Sequence, residues 1–215
     1  MKRLKELIRL DFMLSNVFKS NCTFLLTLIA IAMFIINPTR EQKFCMYAIL
    51  VSTFADLVLM NYKNIPAFIF GNKYFYFGMA AFAITHIIYI SCFSNIVIQK
   101  GMSLDNANIA LLFAIIIVVF TFYVLIELTK QKSVIFQLAS LGYTMVLSLS
   151  LVAIYICADL IGKSFILAAI GITMFLASDL MILYRETVKD TNLVRKLIWI
   201  FYPIGQILII FGVYF

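Results

Sequence analysis

Runs of about twenty apolar residues, broken only by short polar segments, constrain this chain more than any single residue does. A helix rises about 1.5 Å per residue, so roughly 20 apolar residues cross the hydrocarbon core of a bilayer. Seven such runs can be read, over residues 20–37, 43–61, 74–96, 107–127, 133–157, 163–184 and 195–214. With 64% hydrophobic and 13% charged residues among 215, a water-soluble domain would leave too much apolar surface in water. The expected fold is therefore all-α, a polytopic transmembrane helical bundle. Its connections leave no room for a second domain, so any chemistry sits in or beside the membrane. The opening "MKRLKELIRLDFML" has no small-residue cleavage site after it. The division expected is a basic amphipathic interfacial segment over 1–15, then a transmembrane domain over 16–215.

The basic residues orient the bundle. Thirteen Lys and Arg fall in the N-terminal segment and in the connections around 62–73, 128–132 and 185–196, against four in the alternate connections. That bias puts the N-terminus in the cytoplasm and the C-terminus outside, and the inner (cytoplasmic) membrane is the expected location. The net charge of +7 belongs to these loops. No basic domain lies outside the bilayer, which excludes a nucleic-acid partner. Cys22, Cys45, Cys92 and Cys157 are far apart in sequence, with no CxxC or Cys/His cluster. Disulfide-scaffold and zinc-site readings fall, and each cysteine reads as a small buried hydrophobe.

Two acids stand inside apolar runs: Asp56 in "STFADLVLM" and Asp179 in "FLASDLMILY". A charge at mid-helix costs about 2.5–3.5 kcal/mol on insertion scales, so an intramembrane Asp is a functional candidate by default. With the orientation above, each precedes the cytoplasmic end of its span by roughly 8 Å. Tyr202 and Gln206, on one face of the last span, lie roughly 10 and 16 Å in from the same side. Tyr143, and His86 with Tyr89, lie somewhat deeper. The strongly polar residues within the spans thus gather in the inner half of the bilayer. Structural readings stand beside the functional ones. A lone His or Gln can simply bond across helices, and tyrosines also anchor interfaces. Ser52 and Ser178 read as bonded to the backbone of their preceding turns. Glu127 and Asp159, at span ends, read as solvated.

Two carboxylates facing each other in a low dielectric hold one proton between them near neutral pH. One then serves as general acid while the other, ionised, stabilises a cation or activates water. Three reaction classes compete. Intramembrane aspartyl proteases carry a GxGD pattern at the second Asp, where this chain has "LASD". Zinc-dependent lipid amidases need several histidines, and this chain has one. Acid cleavage of a lipid enol ether needs neither a metal nor a covalent nucleophile. A different class, a transporter or flippase using the acids for proton or cation coupling, requires polar access from both faces.

Several stretches, in order, resemble the YhhN-type membrane family, whose characterised members are lysoplasmalogenases. "NVFKS" resembles the family's entry to the first span, with Lys19 matching its lysine and Ser20 standing where a proline is expected. "STFADLVLM" matches the first Asp helix, with Ala55 where glycine is common. "YFGMAAFAITHIIYISCF" matches the next through Gly78, Phe82, His86 and Tyr89. "GITMFLASDLMILYRE" matches the second Asp helix through Ser178 and Asp179, and "WIFYPIGQILIIFGVYF" the last helix through Tyr202, Gly205 and Gln206. The family commonly has eight spans. Here seven are read, with segment 1–15 in place of the first. The resemblance implies hydrolysis of the vinyl ether of a lysoplasmalogen, releasing a fatty aldehyde and glycerophosphoethanolamine or glycerophosphocholine. It implies Asp56 and Asp179 as the acid–base pair. Lys19, His86, Tyr89, Tyr143, Tyr202 and Gln206 would bind the substrate or water. The partner it implies is a lysophospholipid within the membrane, and neither metal nor cofactor is expected.

Overall fold

The computed structural model describes residues 15–60, 64–101 and 108–214, so the amphipathic reading of the N-terminal segment falls almost wholly outside the described residues. Every main element is a helix: α1 Asn16–Ile36, α2 Arg40–Leu59, α3 Tyr74–Gln99, α4 Asn108–Thr129, α5 Val134–Ile161, α6 Lys163–Thr187 and α7 Asn192–Tyr214. Six of these are long and apolar enough to cross a bilayer, and α4 contributes a shorter apolar stretch, Ala114–Thr129. The architecture is thus the expected polytopic bundle of about seven spans. α3 and α5 run past the ends read from sequence, to Gln99 and Ile161. The connection read over 62–73 also carries structure of its own, a short helix Ile65–Phe70 and a 3-10 turn Gly71–Lys73. Pro66 is tolerated in that helix because its missing N–H falls in the first turn.

Helix starts follow local hydrogen-bond chemistry. Phe18 N–H donates to the Ser15 hydroxyl oxygen (3.2 Å), Gln42 N–H to Thr39 (3.2 Å), Phe136 N–H to Ser133 (3.3 Å) and Val194 N–H to Thr191 (3.3 Å). Each bond satisfies a donor that the first turn leaves without a partner. A single residue, Gly162 at φ +113°, separates α5 from α6, a backbone conformation open to glycine and strained for other residues.

α1, α2, α3, α5, α6 and α7 pack in that order into a closed ring, with α7 returning against α1 and α2. α4 stands outside it, against α5 and α6. Phe93, Leu151, Phe175 and Ile209 are fully buried within the ring. Leu28, Ile35, Val119 and Leu138 are more than half exposed, which suits faces turned to lipid. α6 and α7 make the closest seam. A Cβ built on Gly171 would lie 2.6 Å from the Gly205 carbonyl oxygen, and one on Gly212 would lie 2.5 Å from the Ala168 nitrogen. Small residues here let two backbones touch where packing, not water, drives helix association. Within α7, Pro203 lacks the N–H that would bond the Trp199 carbonyl one turn back.

Candidate functional site

Asp56 ends a directed chain of hydrogen bonds that crosses three helices. Tyr202, on α7, donates its hydroxyl to Asp56 Oδ2 on α2 (2.5 Å). Because that proton is committed, the Tyr202 oxygen accepts from Ser52 Oγ (2.7 Å), one turn before Asp56. Ser52 in turn accepts from Gln206 Nε2 (3.1 Å), and Gln206 Oε1 accepts from the Tyr89 hydroxyl on α3 (3.0 Å). Every donor along Tyr89, Gln206, Ser52 and Tyr202 points toward the carboxylate. All five side chains are buried. The i, i+4 spacing of Ser52 with Asp56, and of Tyr202 with Gln206, puts both members of each pair on one helix face, so the two faces mate.

Asp179 sits in a second arrangement, half-buried on α6, where its Oδ2 accepts a hydrogen bond from the Tyr143 hydroxyl on α5. The two arrangements adjoin through rings, since His86 packs beside Tyr143 and Phe175 packs against both His86 and Tyr202. Between the arrangements stands an aromatic wall. Phe175 packs edge-on to Tyr202, with centroids 5.3 Å apart, and to His86 at 4.8 Å, while Phe82 meets both Phe175 (5.6 Å) and Tyr202 (6.0 Å).

His86 is fully buried on α3, beside Tyr143 and Tyr89 with ring centroids 6.1 Å away in each case. Its Nδ1 lies 2.9 Å from Ser150 Oγ, and Ser150 donates to the Leu147 carbonyl (2.7 Å). With the Ser150 proton so used, Nδ1–H is the donor and Nε2 carries the lone pair. That Nε2 is buried and has no hydrogen-bond partner among the described residues.

Asp179 and Tyr143 line a largely apolar cleft, bounded by Leu59, Phe75, Phe82, Leu125, Phe136 and Leu183 among others. The lining from α3, α4 and α5 comes from the ends nearest the 62–73 and 128–132 connections, which the charge bias assigns to the cytoplasmic side. Asp56 does not line it. Lys19 stands apart from both acids. Its Nζ lies 5.5 Å from the centroid of the Trp199 ring, which meets Tyr202 edge-on at 5.9 Å. Near it at the same end of the bundle, the Arg195 guanidinium forks onto Asp190 and holds that carboxyl below the usual carboxylate range.

The residues singled out in the sequence are therefore brought together in two linked groups, with Lys19 at their rim. Ser178 bonds back to the Phe175 carbonyl (2.7 Å), as its position in a helix led us to expect. Ser52 does not: it is the centre of the Asp56 chain, against the backbone-bonded reading. Tyr202 and Gln206 approach from α7 and offer its hydroxyl a better set of partners than its own helix does. Ser150 was not singled out at all, and only its contact with His86 marks it. Glu127 is half exposed and paired with Lys130 at 2.6 Å, and Asp159 is exposed, in keeping with solvated positions. Cys45, Cys92 and Cys157 are buried free thiols, and Cys22 is half-buried. Among the described residues, no three His, Cys, Asp or Glu side chains gather in a way that could hold a metal ion.

No curated protein matches the chain at a significant level, and no solved structure does. A family profile does, over residues 14–213, which takes in both acids, the hydrogen-bond chain between α2, α3 and α7, and the cleft. This membrane protein belongs to the YhhN family.

Proposed function

We propose that the chain is an integral membrane hydrolase that cleaves the vinyl ether of lysoplasmalogens, using Asp179 and Asp56 as an acid–base pair. The observation that carries this reading is the asymmetry of the two acids. Asp179 lines an apolar cleft of lipid-chain character, and Asp56 lies behind it at the end of a one-way hydrogen-bond chain. An acid that must deliver a proton to carbon has to face the substrate. An acid that must stay ionised is stabilised by donors aimed at it.

In this scheme the alkenyl chain lies in the cleft, and Asp179 transfers its proton to the outer carbon of the C=C–O unit. The double-bond electrons form the new C–H bond, and the ether oxygen shares the positive charge as an oxocarbenium ion. The ionised Asp56, behind the cleft, stabilises that cation through space, while Asp179, now ionised and facing the cleft, takes a proton from the water that adds to the cation. The resulting hemiacetal breaks its bond to the glycerol oxygen and releases the aldehyde. Asp179 passes its proton to that oxygen and takes the one from the hemiacetal hydroxyl, so it ends protonated, Asp56 ends ionised, and the net consumption is one water. Tyr143 and Tyr202 hold the carboxyl groups in register, and the Nε2 lone pair of His86 is an acceptor for a hydroxyl or water nearby. The cytoplasmic membrane is the proposed location, with the headgroup product leaving toward the cytoplasm.

The test is aldehyde release from a lysoplasmalogen by purified protein, beside Asp56→Asn and Asp179→Asn, with an ester-linked lysophospholipid as control. Activity on the vinyl ether alone is expected. Each substitution should lower it by about 10³-fold or more, by analogy with loss of a general acid or base. The wild-type rate should describe a bell against pH, because the pair must hold one proton and no more. Folded wild-type protein that releases no aldehyde, but couples lipid or ion movement to protons, would replace hydrolysis with transport.

A further inference from the structure

The inner rim of the bundle collects cations that the acid–base pair does not use. Lys19, in the first turn of α1, rests over Trp199 of α7, one turn after Arg195, and Arg185 in the last turn of α6 stands across the short connection from the start of α7. Arg185 is paired with Glu186 through Nε (3.0 Å) and Nη2 (2.6 Å), and Arg195 with Asp190. Lys132, from the next connection, donates to the Glu186 carbonyl (2.8 Å). Lys19 makes no ion pair among the described residues; its ammonium rests over the Trp199 ring instead. Three cations thus converge with only two carboxylates to balance them, and Lys19 itself is half-buried. Crowding like charge where water is reduced is unfavourable unless an anion shares the site. Each guanidinium has five N–H donors and spends two on its carboxylate, which leaves donors for a second acceptor.

The position selects the kind of anion. From Lys19 the path to Asp56 runs through two rings: Trp199 meets Tyr202, and Tyr202 donates to Asp56. In a lysophospholipid, one glycerol unit separates the phosphate from the ether at the first carbon. A fatty-acid carboxylate has no such spacer between its charge and its chain.

We propose that Lys19, Arg185 and Arg195 form a binding site for the phosphodiester of a lysophospholipid headgroup, seated over Trp199. The choice of lipid rests on the vinyl-ether reading above; the anion site rests on the charges and the ring.

Trp199 is the only tryptophan in the chain, so its fluorescence reports on this site. The probe is a saturated alkyl-ether lysophosphatidylcholine, which has no vinyl ether to hydrolyse. It is titrated into the full chain in a phosphate-free maltoside micelle, and the matching alkylglycerol without phosphate serves as control. The phospholipid should shift the Trp199 emission and the alkylglycerol should not. Lys19→Gln should weaken the phospholipid response about tenfold, the loss of one charge-assisted contact, and Lys19→Arg should keep it. Arg195→Gln should weaken it as well, which guards against a folding defect peculiar to position 19. Equal responses to both lipids, or a Lys19→Gln protein that binds like wild type, would overturn the site. A full response to inorganic phosphate alone would overturn its assignment to a lipid. The two readings fail separately. Phosphate-dependent binding without aldehyde release leaves the site standing and removes the hydrolase. Aldehyde release indifferent to Lys19→Gln does the reverse.

Discussion

Tyr202 is where the most contacts of the Asp56 chain meet, since its hydroxyl donates to the carboxylate, accepts from Ser52, and its ring packs on Phe82, Phe175 and Trp199. Tyr202→Phe keeps that ring packing and deletes only the hydroxyl. Aldehyde release should fall by about 10²-fold, the usual effect of removing one preorganised donor, while thermal unfolding in detergent changes little. Ser52→Ala and Ser178→Ala make a sharper pair. Both are buried serines one turn or less from an acid, yet Ser52 orients Tyr202 and Ser178 bonds only its own helix. The first should cost about tenfold in rate and the second almost nothing. At this scale the sequence was informative about Asp56, Asp179, Tyr202 and Gln206. Carboxylates and amides are conspicuous in apolar runs, and spacing along one helix fixes which of them share a face. It was uninformative about Ser52 and Ser150. A serine in a helix has a ready backbone acceptor of its own, and its other partners lie on helices far away in the chain.

The seam between α6 and α7 rests on Gly171, Gly205 and Gly212, and it holds the helix that carries Tyr202 and Gln206 against the one that carries Asp179. Gly205→Ala would place a methyl 2.8 Å from the Gly171 carbonyl oxygen, and Gly171→Ala one 2.6 Å from the Gly205 carbonyl. Neither backbone can yield locally. Each change should destabilise the bundle by about 1–3 kcal/mol, read as a lower unfolding temperature in detergent, and should lower activity through the displaced tyrosine. Gly142, on α5, is the control. A Cβ there meets nothing within 4 Å, so Gly142→Ala should be neutral or slightly stabilising, since alanine favours helix by about 1 kcal/mol over glycine. Span positions were readable from apolar length alone, although α3 and α5 proved longer and Ile65–Phe70 adds a helix where a plain connection was expected. Which helices touch was not readable. A glycine in an apolar run looks the same whether it faces another backbone, as Gly171 does, or open space, as Gly142 does.

For the molecule as a whole, the charge bias and the number of spans make one joint prediction. The connection around Lys189 faces the cytoplasm, and the one around Lys100 faces the opposite side. Single cysteines at these two exposed positions, Lys189→Cys and Lys100→Cys, should be labelled from opposite sides of sealed vesicles by a membrane-impermeant maleimide. Labelling of both from one side would invert half the bundle and separate the acids from their proposed water supply. The cleft beside Asp179 carries a kinetic consequence of its own. Its walls come from α2, α3, α4, α5 and α6, and their apolar side chains suit a hydrocarbon chain rather than a dissolved solute. A substrate that enters there arrives by lateral diffusion within the leaflet. Its effective concentration is then its mole fraction among the other lipids, and diluting the vesicles in buffer leaves that unchanged. Turnover should follow surface composition, falling when inert lipid is mixed in and holding steady when water is added.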